Sequence, residues 1–576
     1  MKTRYVVVAA VVLSAWVSGD LQLSECEVTA KTESGYVCGR RRPAANGEEY
    51  ASFRGIPYAR QPLGKLRFQE LHPPKPFNGV FDAREEGPVC PQVDVIYGPL
   101  LQPRSMGEDC IRINIHVPLY ALPDRGEYPG QRPLLPILAW IHGGSFSYGS
   151  GDADFHGPEY LVTKGVILVT FNYRLHVLGF LSLNSKSIPG NNGLRDCRTA
   201  LQWIQRNARF FGGDPDNVTI GGQSAGGAMA HLLSISPSCK GLFHKVMALS
   251  GNAISNFFSY SPVYSALIAK LFLVYMGINV LEDPESIHQR LITAPMGSLL
   301  EANRFLLDQL GLVTFTPVIE TPAKNFTAIL PRDAELLLDE GWGKETPILF
   351  GVCSNEAQTY KKRLAAVNLE TKLRLLPQLT VPLNLLFTSN PLMVPALTFN
   401  VLDEYYNNSL ITLDQFCNVI TDSFYKYPVL RAIEKRVKTG SAPTFQYEFS
   451  YHGQKSIVKE VLKTEFPGAG HLEDITYFFR LNAIQGPLVV NELSQNDPDS
   501  MMREWMTRLI TNFIITGDPT PVEERYGLPK WPEADRHLMY ESIDMPMLYN
   551  AKTPTPYMKG KKRFFDKQYK LGRLGK

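Results

Sequence analysis

Ser224 has the sequence surroundings of a nucleophilic serine. It stands at the centre of Gly-Gln-Ser-Ala-Gly, residues 222–226. Residues 218–221 before it are predicted to form a buried strand, and the residues from Ala225 onward a helix. A strand–turn–helix junction of this kind exposes the serine oxygen, and the helix N-terminus favours negative charge there. The pattern predicts a serine nucleophile for acyl transfer, against the alternative of a glycine-rich turn with an incidental serine.

A serine hydroxyl needs a base, and the base needs a carboxylate that orients it. At such a junction the expected order along the chain is serine, acid, histidine. That order favours His471, which follows the small residues 468–470, and Glu356, which follows the strand candidate 348–352. From spacing alone, each of the two is weighed evenly against a surface residue without a catalytic role.

A glycine turn upstream of Ser224 has the composition of an oxyanion hole. Residues 140–146, Trp-Ile-His-Gly-Gly-Ser-Phe, overlap the end of the strand candidate 134–141. Backbone amides of this turn, together with the amide of Ala225, could hold the oxygen of a tetrahedral intermediate, and one such donor is typically worth about 3 kcal/mol. The alternative is an ordinary turn at a strand end.

Buried strands and helices alternate along the chain and must position these residues. The strand candidates are residues 134–141, 166–171, 218–221, 246–250, 348–352 and 445–451, and the helix candidates are residues 198–211, 224–233 and 499–515. This alternation predicts an α/β fold with a large, mostly parallel sheet and helices on both faces. Two segments between residues 28 and 40 predict a small antiparallel N-terminal portion. Without a repeat or a low-complexity linker, we expect one domain from residue 20 to residue 576.

The N-terminus has the layout of a secretory signal peptide. A basic start precedes the apolar residues 5–13 and small residues follow, so residues 1–19 are predicted to be cleaved and the chain exported. Eight cysteines fit an extracellular enzyme with structural disulfides. Glycosylation sequons begin at Asn217, Asn325 and Asn407, and Asn217 is the least favoured because it directly precedes a core strand.

Charge and hydropathy limit the possible partners. A formal net charge of +3 argues against nucleic acid or an anionic membrane surface as the main partner. No apolar stretch is long enough to predict a membrane span. The basic residues after about residue 550 are expected to form a solvated tail. Serine ester hydrolysis needs no metal and no organic cofactor, so none is expected, and the expected partner is a small hydrophobic ester.

Several ordered motifs together resemble the type-B carboxylesterase/cholinesterase family between about residues 28 and 549. Besides the pentapeptide, they are Phe-Arg-Gly-Ile-Pro-Tyr-Ala at 53–59, Leu-Arg-Phe at 66–68, Gly-Glu-Asp-Cys at 107–110, Phe-Gly-Gly-Asp-Pro at 211–215, Ser-Asn-Glu at 354–356 and Gly-Ala-Gly-His at 468–471. The resemblance implies an α/β-hydrolase fold with a buried triad at the base of a gorge. Ser224 would be the nucleophile, His471 the general base and acid, and Glu356 the orienting acid.

The resemblance also assigns the supporting residues. It implies an oxyanion hole formed by Gly144, Ser145 and Ala225. Ser145 stands where the family commonly has glycine, and its backbone amide can still donate. Ser250 matches a serine that supports the triad in the family.

Two disulfides are expected. The resemblance implies that Cys90 pairs with Cys110. Cys26 and Cys38 flank the predicted N-terminal hairpin almost symmetrically, so a bridge across it is a hypothesis, with two free thiols as the alternative. The remaining cysteines have no obvious partner: Cys197, Cys239, Cys353 and Cys417.

Gln223 directly precedes the serine, and glutamine at this position is common in insect juvenile hormone esterase-like carboxylesterases. In this feature the chain resembles that group. Cys197 stands where such relatives usually carry glutamine, which leaves the substrate open. The expected function is therefore that of a secreted serine ester hydrolase that acts through an acyl-enzyme on a hydrophobic ester, juvenile hormone or a related insect ester among the candidates. The alternatives are a general detoxifying or odorant-degrading carboxylesterase, and a non-catalytic adhesion protein or ligand carrier.

Overall fold

The computed structural model describes residues 21–96, 105–125, 127, 132–255, 257–259, 261–320, 327–407, 409–454, 456–483, 497–521, 530–545 and 550–574. The predicted signal peptide, residues 1–19, and the sequon residue Asn325 lie outside this part of the chain. Within it, no helix is long and apolar enough to cross a lipid bilayer.

One sheet of thirteen strands runs through the described part of the molecule. The strands are β1 (Val28–Thr32), β2 (Gly35–Pro43), β3 (Glu49–Pro57), β4 (Phe81–Asp82), β5 (Arg112–Pro118), β6 (Leu135–Ile141), β7 (Ile167–Phe171), β8 (Gly213–Gln223), β9 (Lys245–Leu249), β10 (Ile348–Cys353), β11 (Thr444–Phe449), β12 (Tyr540–Ile543) and β13 (Asn550–Lys552). Their order is β1-β2-β3-β5-β7-β6-β8-β9-β10-β11-β12-β13, and β4 pairs with β2. The run from β7 to β12 in this order is parallel, and the pairs from β1 to β7 are antiparallel. The predicted mostly parallel sheet with an antiparallel N-terminal portion is confirmed.

Helices lie on both faces of this sheet, as predicted. They are α1 (His176–Phe180), α2 (Asn192–Asn207), α3 (Ala225–Ser234), α4 (Pro262–Tyr275), α5 (Pro284–Thr293), α6 (Met296–Leu310), α7 (Ala334–Asp339), α8 (Lys361–Ala366), α9 (Leu369–Leu375), α10 (Leu383–Thr388), α11 (Val394–Tyr406), α12 (Leu413–Ile420), α13 (Tyr427–Lys438), α14 (Ile457–Leu462), α15 (Pro498–Thr516) and α16 (Pro556–Gly572). A π-helical turn, Thr421–Lys426, joins α12 to α13.

The central strands are buried on both faces. Every residue of β7, β9 and β10 is buried. Apart from Lys245 and Thr170, their sequences are apolar throughout rather than alternating, because helices cover both sides of a parallel sheet. These strands are the rigid frame from which the loops at their carboxyl ends project.

Strand β8 is longer than the apolar run at residues 218–221 predicts. It begins at Gly213, which pairs with Leu135 of β6 ahead of a shift in register. The polar residues at its start carry no apolar signal, so periodicity alone misses them. Its last residue, Gln223, directly precedes the predicted nucleophile.

The basic C-terminal segment differs from the expected solvated tail. It forms α16, which packs against α10, α11 and α13. Phe565 is fully buried and Met558 is 6% exposed, whereas Lys561 pairs with Glu404 at 2.7 Å. Met558 and Phe565 belong to the buried face of α16. The many charged residues of the segment made this apolar face hard to predict from the sequence.

Candidate active site

The predicted site residues meet at the carboxyl ends of neighbouring parallel strands. The glycine turn follows β6, Ser224 follows β8, and Glu356 lies three residues beyond β10. His471 lies in the long connection that follows β11. In open α/β sheets this edge is where ligands bind. A cavity of about 20 Å³ at this edge is lined by Ser224 and His471.

Ser224 has a strained backbone. Its φ of 60° and ψ of −126° lie outside the usual regions for a residue with a side chain, and such outliers cluster at functional sites. The tight turn requires glycine at two neighbouring positions. A Cβ on Gly226 would overlap the carbonyl oxygen of Ile141, and one on Gly222 would overlap the backbone of Gly226. The two glycines therefore allow β8 to be followed directly by α3, with Ser224 as the single residue of the turn between them.

His471 and Glu356 form a buried hydrogen-bonded pair. The Nδ1 atom of His471 lies 2.6 Å from Oε2 of Glu356, and both side chains are at most 1% exposed. The other oxygen of Glu356 accepts a hydrogen bond from the amide of Cys353 at 2.8 Å. Because a carboxylate only accepts, the imidazole carries its proton on Nδ1 and presents an unprotonated Nε2 to the cavity.

The glycine turn offers free backbone donors beside Ser224. Gly144 and Ser145 adopt positive φ values of 110° and 53°. Within the described residues, the amides of Gly144, Ser145 and Ala225 donate no hydrogen bond, and Ala225 begins a helix, whose first amides have no internal acceptor. Gly144 lines the same cavity as Ser224 and Ala225 directly follows it, so these unengaged amides are candidates to hold an oxyanion.

Two other histidines line the same cavity, His142 and His156. Burial lowers the pKa of His142 to about 4 and that of His156 to about 3, so both are neutral at pH 7. Neither has a hydrogen bond to a carboxylate among the described residues. Of the three cavity histidines, only His471 has the partner that orients a general base.

Three further residues around His471 escaped the sequence analysis. The rings of Tyr360 and Tyr425 lie 5.2 Å and 5.3 Å from its imidazole, and their hydroxyls are 3.0 Å apart. Asp474 is fully buried and accepts a hydrogen bond from Tyr447 at 2.7 Å. Burial raises the pKa of Asp474 to about 6, which the hydrogen bond from Tyr447 partly opposes. Only the position of Asp474, three residues after His471, could have drawn attention to it.

Ser250 lies at the end of β9 beside the nucleophile turn. Its amide donates to the carbonyl of Gly351 at 2.8 Å, and Ser224 N donates to Leu249 O at the same distance. Its hydroxyl is buried and has no hydrogen-bond partner among the described residues. The structure thus brings Ser250 close to the nucleophile without a hydrogen bond from its side chain to the predicted triad.

Both expected disulfides are present. Cys26 is bonded to Cys38 across the N-terminal hairpin, and Cys90 to Cys110. The other four cysteines are buried free thiols: Cys197, Cys239, Cys353 and Cys417. Of the sequons, Asn407 is exposed, whereas the side chain of Asn217 bonds to Lys245 and to Ile515.

An apolar cavity of about 250 Å³ lies behind the tyrosines. Phe257 and Phe424 stack at 4.9 Å in its wall, and Phe257 and Phe258 contact Tyr425, the neighbour of His471. The remaining wall is almost entirely aliphatic or aromatic. No group of side chains that could hold a metal ion occurs in the described residues.

Comparison with known proteins gives extensive matches. A family model described as "Carboxylesterase family" matches residues 26–559. A juvenile hormone esterase of Heliothis virescens is 45% identical over 94% of this chain and 94% of its own length, and one of Tribolium castaneum is 30% identical over 86% of each. The crystal structure of juvenile hormone esterase from Manduca sexta, with OTFP covalently attached, superposes with a TM-score of 0.89 at 45% identity, covering 94% of this chain and 99% of that one. The expected α/β-hydrolase fold is thereby confirmed.

Proposed function

Since the chain belongs to the carboxylesterase family and is a carboxylic ester hydrolase, we propose that Ser224 is its nucleophile, with His471 and Glu356 as base and orienting acid. The observation that carries this proposal is that His471, which lines one cavity with the strained Ser224, is paired at 2.6 Å with the buried Glu356 behind it.

The reaction proceeds in two steps. The Oγ of Ser224 attacks the ester carbonyl while Nε2 of His471 takes its proton, and the alcohol leaves with that proton. The charge on the carbonyl oxygen is held by the amides of Gly144, Ser145 and Ala225. Water, deprotonated by His471, then attacks the acyl-enzyme and releases the acid. Glu356 keeps the proton on Nδ1 and stabilises the imidazolium.

Replacement of the nucleophile tests this mechanism. Ser224→Ala should abolish turnover of an aryl ester while the melting temperature stays near that of the wild type. An organophosphate should label the wild type at one equivalent, and peptide mapping should locate the label on Ser224. Undiminished hydrolysis by Ser224→Ala, or label on other residues alone, would contradict the assignment.

We further propose a hydrophobic ester of the juvenile hormone class as substrate. Two relatives named juvenile hormone esterase support this, one of them 45% identical over nearly the whole chain. The apolar cavity behind Tyr425 supports it as well, since a long apolar chain is stabilised by about 25 cal/mol for each Å² of surface that it buries. The test is the specificity constant for juvenile hormone, short aliphatic acetates, choline esters and naphthyl esters. A preference for the short acetates or the choline esters would overturn the proposal.

We propose that the enzyme is a secreted, single-domain glycoprotein. The two disulfides support export, because such bonds persist in oxidising compartments. The exposed position of Asn407 supports glycosylation there. Expression of the full chain in insect cells tests both features: the protein should accumulate in the medium with a processed N-terminus and an endoglycosidase-sensitive mass.

A further inference from the structure

The unprotonated Nε2 atom of His471 is already occupied. The side-chain amide of Gln223 lies 3.0 Å from it. Since Nδ1 bears the proton that bonds Glu356, Nε2 accepts and the amide of Gln223 donates. Ser224 Oγ forms no hydrogen bond within the described residues, so the residue before the nucleophile holds the lone pair that the nucleophile needs.

Among the described residues, the carboxamide of Gln223 has no hydrogen bond besides the one to His471. Gln223 is 1% exposed, and its Oε1 atom has no hydrogen-bond partner among the described residues. A buried amide that leaves its oxygen unpaired costs free energy, so its one hydrogen bond is the interaction to explain. The carboxamide also fills the space above the oxyanion turn. A Cβ on Gly143 would lie 3.0 Å from Oε1, so glycine at that position leaves the amide its room.

We propose that Gln223 is a positioning residue that holds His471 in its neutral form, with the Nε2 lone pair directed into the site. The proposal rests on the proposed triad. An amide N–H can donate only to unprotonated Nε2, so this hydrogen bond favours the neutral imidazole over the imidazolium. When the ester binds, the hydroxyl of Ser224 replaces the amide as donor to the same lone pair, and its proton passes to Nε2.

The other groups around His471 do not favour its neutral form. Its charged neighbours are the carboxyl groups of Glu356 and Asp474, which favour the imidazolium. The rings of Tyr360 and Tyr425 lie 5.2 Å and 5.3 Å from the imidazole in tilted orientations. The side chain of Gln223 is therefore the neighbouring group that opposes protonation.

Two substitutions of similar size separate the electrostatic role from packing. Gln223→Glu places a carboxylate at Nε2, which needs a proton there and so favours the imidazolium while Nδ1–H bonds Glu356. Gln223→Met removes the donor without adding charge. Gln446→Met is the matched control, because Gln446 is equally buried, on β11, and has no hydrogen bond to the triad. The measurement is kcat/KM for a neutral aryl ester between pH 5 and 9.

In both Gln223 variants the acidic limb of the pH profile should move to higher pH, further for Gln223→Glu than for Gln223→Met. We expect a shift of about one unit or more for Gln223→Glu and of several tenths of a unit for Gln223→Met, because a nearby opposite charge outweighs the loss of one hydrogen bond. Gln446→Met should keep the wild-type limb. Active-site titration with an organophosphate corrects for folded fraction, and Gln223→Met carries the test alone if the charged variant does not fold.

Superimposable limbs for the wild type and both Gln223 variants would overturn the proposal, as would a shift to lower pH. A wild type that neither hydrolyses the aryl ester nor takes up label on Ser224 would instead overturn the proposed function. The two failures are therefore distinguishable in one experiment.

Discussion

At the scale of single residues, the imidazole of His471 has a partner at each nitrogen. Glu356 bonds Nδ1, the carboxamide of Gln223 bonds Nε2, and two tyrosine rings pack beside it at 5.2 Å and 5.3 Å. Such confinement limits the entropy that the base loses when the transition state forms. It also means that each contact can be removed separately with a conservative substitution.

Glu356→Gln should lower kcat on the order of 10³–10⁴-fold with little change in KM, because an amide cannot stabilise the imidazolium and favours the wrong tautomer. The measurement is steady-state hydrolysis of an aryl ester, with the melting temperature as control for folding. A loss of less than tenfold in kcat would show that the carboxylate is not the orienting group.

Asp474 should make stability depend on pH. Its folded pKa of about 6, raised by burial, lies above the value of the unfolded chain, so the folded state binds the proton more tightly between about pH 4 and pH 6. Its contribution to stability is greatest below pH 4 and is lost as the pH rises through 6. Asp474→Asn should therefore raise the melting temperature relative to the wild type more at pH 7 than at pH 4.5. An equal difference at both pH values would contradict this.

At the scale of elements, the π-helical turn Thr421–Lys426 lies between the apolar cavity and His471, the proposed catalytic base. Ser423 and Phe424 line the cavity, while Tyr425, the next residue, contacts His471 and bonds the hydroxyl of Tyr360. A regular α-helix would rotate these side chains differently, and π-turns recur at functional sites for this reason. The turn thus connects the wall of the apolar cavity, where we propose that the substrate chain binds, with the tyrosine that contacts the imidazole.

Removal of one hydroxyl from this turn should affect the chemical step. Tyr425→Phe should lower kcat about fivefold with KM nearly unchanged, because one buried hydrogen bond is worth about 1 kcal/mol. Tyr58→Phe is the matched control, since it loses a buried 2.7 Å bond to the carbonyl of Asn172 away from His471. Equal effects of the two substitutions on kcat would rule out a specific role for the turn.

The positions of Ser224 and Glu356 at strand ends could be predicted from the sequence. Ser224 and Glu356 follow short apolar runs, and the carboxyl ends of parallel strands share one edge, so their meeting could be predicted without side-chain detail. The π-turn could not, because the phase shift that it causes in the apolar pattern falls within a six-residue segment, too short to be told from ordinary sequence variation. Nor could the bond from Gln223 to His471, since it joins side chains 248 positions apart through a packing arrangement.

At the scale of the whole molecule, the disulfides brace the N-terminal part of the chain only. Cys26–Cys38 closes the edge hairpin, remote from the carboxyl ends that carry the site. Cys90–Cys110 adjoins Gln92, whose side chain bonds Gly149 in the wall of the active-site cavity. We therefore expect the first bridge to affect stability alone and the second to affect stability and activity.

Removal of each bridge should separate these effects. Replacement of Cys26 and Cys38 by Ala should lower the melting temperature by roughly 2–3 °C, from a loop-closure contribution of about 3 kcal/mol, and leave kcat unchanged. The same replacement at Cys90 and Cys110 should lower the melting temperature and also kcat. Differential scanning calorimetry and an aryl ester assay measure the two quantities. Loss of activity in the first variant would contradict the separation.

Gly226 packs directly against the carbonyl of Ile141, and the same close contact constrains other chains that share this fold and pentapeptide. The glycines are required because the strand and helix pack too closely for any side chain. That requirement concerns the backbone and persists when a substitution removes the imidazole or the carboxylate. A descendant that has ceased to hydrolyse esters should still conserve both glycines, so these glycines report the strand-to-helix turn, whereas the serine, the acid and the histidine report the chemistry.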